Sequence, residues 1–125
     1  MIRLTEEHIL QIHDDQINQW GGLLGIRDVN LFKSQCQMPY QTFYGEDLFP
    51  DNYSKAVRYL FGFANNQIFL DGNKRTAAMV TLVFLALNNI ELDLDSQDLY
   101  MITMSVANHE LNEDDVKEYL IEHTV

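Results

Sequence analysis

One segment of this sequence gathers the residue types that handle phosphate chemistry: Asn66-Gln67-Ile68-Phe69-Leu70-Asp71-Gly72-Asn73-Lys74-Arg75-Thr76-Ala77. Its polar end opens a long apolar run with helical character. A helix N-terminus exposes unpaired N–H groups and the positive end of the dipole, which together favour an anion. Gly72 permits a backbone turn that other residues resist. Lys74 and Arg75 add full positive charge beside it, and an arginine can grip a phosphate through two bonds. Asp71 offers an oxygen of the kind Mg²⁺ prefers when it bridges to phosphates. A purely structural reading also exists, because Asp-Gly-Asn is common turn chemistry and Asn73 could cap the helix. Against it, Lys and Arg in a first helical turn oppose the dipole, where a structural design puts acids. The residues alone leave both readings open.

The surrounding elements must hold that segment in place. Thr5 with Glu6-Glu7 reads as an N-cap and acidic first turn, followed by Ile9, Ile12, Ile17 and Trp20 near helical spacing and a stop at Gly21-Gly22. Asp28 caps a shorter helix through Leu31 and Phe32 that ends before Pro39. The stretch Tyr40 to Gly45 is rich in strand-favouring residues and reads as a short hairpin or extended flap. From Asn52, the residues Ala56, Val57, Leu60, Phe61 and Ala64 give an amphipathic helix ending near Asn65-Asn66. Lys74 to Leu87 is apolar nearly all round, which predicts a central helix buried on every side. Asn88-Asn89 suits a left-handed C-cap. Two helices follow, one after Ser96 through Leu99, Ile102 and Val106, and one from Asn112 with Asp115 completing a capping box. The expectation is an all-α, compact bundle around one buried helix, with at most a small β-hairpin, spanning residues 1–125 as a single domain.

Bulk properties narrow the partners. Nineteen acids against eight bases give a formal net charge of −11, which repels nucleic acid and anionic lipid. A local pair of cations can still bind a phosphorylated ligand, since distant acids are screened. The one cysteine, Cys36, permits no internal disulfide. The start shows no basic region followed by an apolar one, and the apolar stretch Ala77 to Leu87 is about half of the roughly 20 residues a membrane span needs. A cytoplasmic protein is expected. Among the histidines, His8, His13 and His123 read as surface or helix-end residues, while His109, in an interhelix loop, is a candidate for the cleft. The acidic runs Glu91 to Asp98 and Glu110 to Glu118 read as solvated faces.

The segment from Gln67 to Ala77 closely resembles the signature of the Fic/Doc superfamily, His-Pro-Phe-x-(Asp/Glu)-Gly-Asn-(Gly/Lys)-Arg. It looks most like the Doc (death-on-curing) toxin branch. Lys74 stands where Fic adenylyltransferases have glycine, Ala78 stands where Fic proteins have a second arginine, and the chain has the size of a bare toxin. The likeness continues in His13-Asp14, in Gly21 through Asp28, and in Ala107 through Leu111.

The resemblance implies a helical Fic/Doc fold, with Asp71 at the metal and Gly72, Asn73, Lys74 and Arg75 at nucleotide phosphates. Phe69 would anchor the loop, and the flap from Gln41 to Gly45 would lie beside the site and align a target by strand addition. The implied activity is that of a type II toxin–antitoxin toxin: with ATP and Mg²⁺, phosphate goes to a hydroxyl of elongation factor Tu, arresting translation. The implied partner is an antitoxin whose C-terminal segment folds as a helix into a toxin groove. The Fic autoinhibitory pattern would need Glu at position 109 after Ser105; His109 stands there, so inhibition in cis is not expected.

Gln67 breaks the pattern. The family histidine is a general base for the target hydroxyl, and an amide has no useful basicity near neutral pH. Phosphate transfer should therefore be lost or impaired. Either an active enzyme has been silenced by substitution, or Gln67 is natural in a degenerate relative. A non-catalytic nucleotide- or partner-binding protein and an AMP transferase stand as alternatives.

Overall fold

Helices begin where the sequence offers an oxygen to the first unpaired N–H groups. The computed structural model describes residues 1–125. Thr5 caps α1 (Glu6–Trp20) in a capping box closed by His8, and Asp28 caps α2 (Val29–Gln37) through the Leu31 N–H. A 3₁₀ turn, Met38–Tyr40, leads into the hairpin β1 (Thr42–Phe43) and β2 (Glu46–Asp47), paired antiparallel with Thr42 opposite Asp47. Asp51 caps α3 (Asn52–Asn65). Then come α4 (Asn73–Leu87), α5 (Ser96–Ala107), capped by Asp95, and α6 (Glu113–Glu122), capped by Asn112 with Asp115 reciprocating. No helix is long and apolar enough to cross a membrane.

The sequence-based element order is the observed one: a helical bundle with a two-residue-per-strand hairpin. The α4 C-terminus is closed by Asn89 in the left-handed region (φ 63°), with Ile90 N–H donating to Leu85 O and Asn89 N–H to Ala86 O. This is a Schellman ending in which Asn takes the place of the usual glycine.

A core of 21 buried apolar residues lies between the helices, with Tyr59, Phe63, Phe69 and Phe84 among its largest members. Helix α4 packs against α1, α3 and α5, so it is central. It is not buried on every side, however. Thr76, Ala77, Ala78, Val80, Thr81, Phe84 and Leu85 are enclosed, whereas Leu82 and Val83 are half-buried and Ala86 and Leu87 are exposed. Only α1, α3 and α5 pack substantially on α4, and the uncovered side becomes a shallow apolar trough with Ile90 and Leu92. Cys36 is buried in the core, and burial, reinforced by Glu6, pushes its thiol up to about 12. It is therefore no nucleophile near neutral pH.

Candidate functional site at the mouth of helix α4

The loop between α3 and α4 is fixed before it reaches the chemistry. Its main chain is zipped to the segment after α1: Arg27 and Asp28 N–H groups donate to Ile68 O (2.8 and 3.2 Å), and Leu70 N–H donates to Gly25 O (3.1 Å). The Arg27 guanidinium donates to the Gln67 carbonyl. Phe69 is fully buried, and its ring lies flat on His13 with centroids 3.8 Å apart. Asn73 folds its side chain back, accepting from Phe69 N–H (2.9 Å) and donating to Phe69 O (3.1 Å). The Asn73 side chain is therefore a clamp on the loop, and only its main-chain N–H faces outward for a ligand.

Gly72 turns the chain into α4 with φ +78°, and a Cβ there would come within 2.9 Å of Ile17 Cδ1. The conformation favours glycine, while the Ile17 methyl could give way to a Cβ. The first hydrogen bond of α4 runs from Thr76 N–H to Gly72 O (2.9 Å). The N–H groups of Asn73, Lys74 and Arg75 consequently have no acceptor within the protein, the condition for an anion site.

Asp71 is positioned from two sides. Its Oδ2 accepts from Leu23 N–H (2.7 Å), and its main-chain oxygen lies 2.8 Å from His13 Nε2. Gly22 makes this approach possible, since a Cβ there would stand 3.0 Å from Asp71 Cβ. The remaining carboxylate oxygen has no partner. No group of three or more His, Cys, Asp and Glu side chains is arranged to hold a metal. A hard cation at Asp71 would therefore take its other oxygens from phosphate and water, which suits Mg²⁺ and fits the single carboxylate present.

These groups surround a cleft of about 420 Å³ lined by residues from four places in the chain: the α1 end (Trp20 to Gly22), Ala64 of α3, the loop between Gln67 and Arg75, and Tyr100 of α5. Gln67, Asp71, Gly72, Asn73, Lys74 and Arg75 all line it. Lys74 and Arg75 pair with no carboxylate. The lining thus holds two cations against one anion, in a chain whose net charge is −11.

Three expectations need correction. His13 is not a surface residue: it is 1% exposed and supports the loop through Phe69 and the Asp71 carbonyl. Its place between Ile9 and Ile17 on one helical face was the available signal. His109 is exposed in a left-handed turn after α5 and does not line the cleft. The hairpin is formed, with exposed Phe43 and Tyr44, but none of its residues lines the cleft either. Its base is tied to the first turn of α3, where Lys55 reaches Asp47. Sequence reasoning also missed Trp20, the Leu23 N–H and Tyr100.

Comparison with known proteins agrees with the geometry. The model of the Fic/DOC family matches residues 3–85. The Toxin Doc of Mycolicibacterium smegmatis is 38% identical over 76 residues, covering 61% of this chain and 58% of its own length. The chain thus spans less than two thirds of that relative. The Protein kinase doc of Escherichia phage P1 is 29% identical over 125 residues, 96% of this chain and 94% of its own. With the family signature resting on the mouth of α4, this chain belongs to the Fic/DOC family, in its Doc branch.

Proposed function

We propose that this chain is a Doc-type toxin whose cleft binds ATP with Mg²⁺ for phosphate transfer to a protein hydroxyl, and that Gln67 impairs the transfer step. The observation that carries the reading is the unpaired state of Lys74, Arg75 and the first N–H groups of α4 around one cleft. In this reading the N–H groups, Lys74 and Arg75 hold the nucleotide phosphates, and the free oxygen of Asp71 holds the metal. Bound Mg²⁺ would neutralise phosphate charge.

Transfer to a hydroxyl forms a bond from that oxygen to the γ-phosphorus and breaks the bond to the β-phosphate oxygen, releasing ADP. The hydroxyl proton must leave to a base. Gln67 faces the cleft with its main chain held by Arg27, so its amide can orient a hydroxyl but cannot take the proton. Losing a general base costs a factor of about 10² to 10⁴ in rate.

The names of the two relatives support a toxin and a protein kinase. The proposed target is elongation factor Tu, and the proposed restraint is an antitoxin whose C-terminal helix occupies a groove. The apolar trough of about 240 Å³ formed by Leu82, Val83, Ala86, Ile90 and Leu92 has the chemistry such a helix needs. A cytoplasmic location follows from that target.

Gln67→His is the direct test. With ATP and Mg²⁺ it should transfer phosphate to elongation factor Tu at least about 10²-fold faster than the parent chain. A His variant that binds ATP yet modifies no protein would refute the enzyme reading. It would favour the second reading, a nucleotide- or partner-binding relative, which Gln67 itself motivates. Mass spectrometry of the modified target separates an added phosphate from an added AMP.

A further inference from the structure

Arg75 is held in a way the family signature does not describe. Its guanidinium carbon lies 3.9 Å from the centre of the Trp20 ring and 4.0 Å from the centre of the Tyr100 ring. Trp20 is the last residue of α1, Arg75 sits in the first turn of α4, and Tyr100 belongs to α5. Two rings from different helices thus flank one guanidinium. Both distances are well inside the roughly 6 Å at which a cation feels a ring quadrupole.

We propose that Trp20 and Tyr100 are positioning residues for phosphate binding, an aromatic clamp that holds the orientation of the Arg75 guanidinium and so the directions of its N–H donors. This rests on the proposed nucleotide site. Held between two rings, the guanidinium meets an incoming phosphate as a fork already oriented. An unclamped arginine would have to lose its rotamer freedom on binding, whereas here that loss is borne by the fold. Lys74, one residue away, has no such clamp and acts as a mobile point charge. Tyr100 lies beyond residues 3–85, the part of the chain that the family model matches, so the clamp joins the signature loop to a helix outside that match.

A merely structural alternative is available: the stack could tie α1 to α5 and leave Arg75 idle. The two differ in what MgATP does. Trp20 is the only tryptophan, so tryptophan emission from the unaltered protein comes from the clamp residue. Added MgATP should change that emission, with the same midpoint as binding measured by calorimetry. Trp20→Leu and Tyr100→Leu, which keep apolar bulk but remove the ring, should each weaken MgATP about tenfold, while Trp20→Phe and Tyr100→Phe should stay within about threefold.

Tight binding to the unaltered protein with unresponsive emission, or with folded leucine variants of unchanged affinity, would overturn the clamp and leave the nucleotide site standing. No binding of MgATP to the unaltered protein would overturn both. Should the leucine variants fail to fold, the emission titration and the phenylalanine variants still decide the matter.

Discussion

The two ends of α3 treat positive charge in opposite ways. At its start, Lys55 reaches Asp47 (3.3 Å) and the Phe49 carbonyl, Lys117 reaches Asp51 (3.0 Å), and Arg58 pairs with Glu113. Burial of Asp51 raises its pKa, but the Ser54 N–H, the Lys117 ammonium and the Ser54 hydroxyl together hold it below the usual carboxylate range. At the other end of α3, Lys74 and Arg75 have no carboxylate, although acids outnumber bases by more than two to one. Neutralised cations at the hairpin end do structural work. The cations at the mouth of α4 form no ion pair, and rings instead of carboxylates hold Arg75 in position. What sets Lys74 and Arg75 apart is that they share one cleft with the unpaired N–H groups of α4.

That contrast can be broken from either side. Removing a cation from the open end should cost binding and little else. Arg75→Ala is expected to weaken MgATP by about 10- to 100-fold, the worth of charge-assisted hydrogen bonds, as read by calorimetry. Its melting temperature should fall only modestly, because two ring contacts are lost but no ion pair. A variant that melts far earlier but still binds MgATP would make Arg75 structural.

Removing a cation from the paired end should do the reverse, with a smaller effect. Lys55 is 3% exposed while its partner Asp47 remains half in solvent. Lys55→Met keeps the buried stem and loses the ammonium contacts to Asp47 and the Phe49 carbonyl. The expected loss is about 1 to 3 kcal/mol in urea denaturation, with MgATP affinity unchanged.

Most of the fold was legible because local signals agree with the tertiary arrangement. Thr5, Asp28 and Asn112 cap the helices they were expected to cap, and Asn89 supplies the left-handed ending. The site was legible where it is contiguous, from Gln67 to Arg75. It was illegible where it depends on distant partners: nothing in the sequence announces that Trp20 and Tyr100, 80 positions apart, converge on Arg75. His13 was misread because polarity argued for the surface, while its helical register with Ile9 and Ile17 argued for the core, and the register prevailed. The hairpin was recognised, but strand propensity says nothing about whether its residues line the cleft, and none does. The belief that α4 is buried all round failed for lack of enough neighbouring helix to cover Leu82, Val83 and Ala86.

The central claim is that the mouth of α4 accepts a triphosphate. It is tested most directly by following backbone amide resonances during a titration with MgATP. The amides of Asn73, Lys74 and Arg75 should move together and saturate, with the Trp20 indole, while Lys55, Arg58 and Lys117 stay still. Shifts concentrated at the hairpin end, or none at the α4 mouth at saturating MgATP, would contradict it.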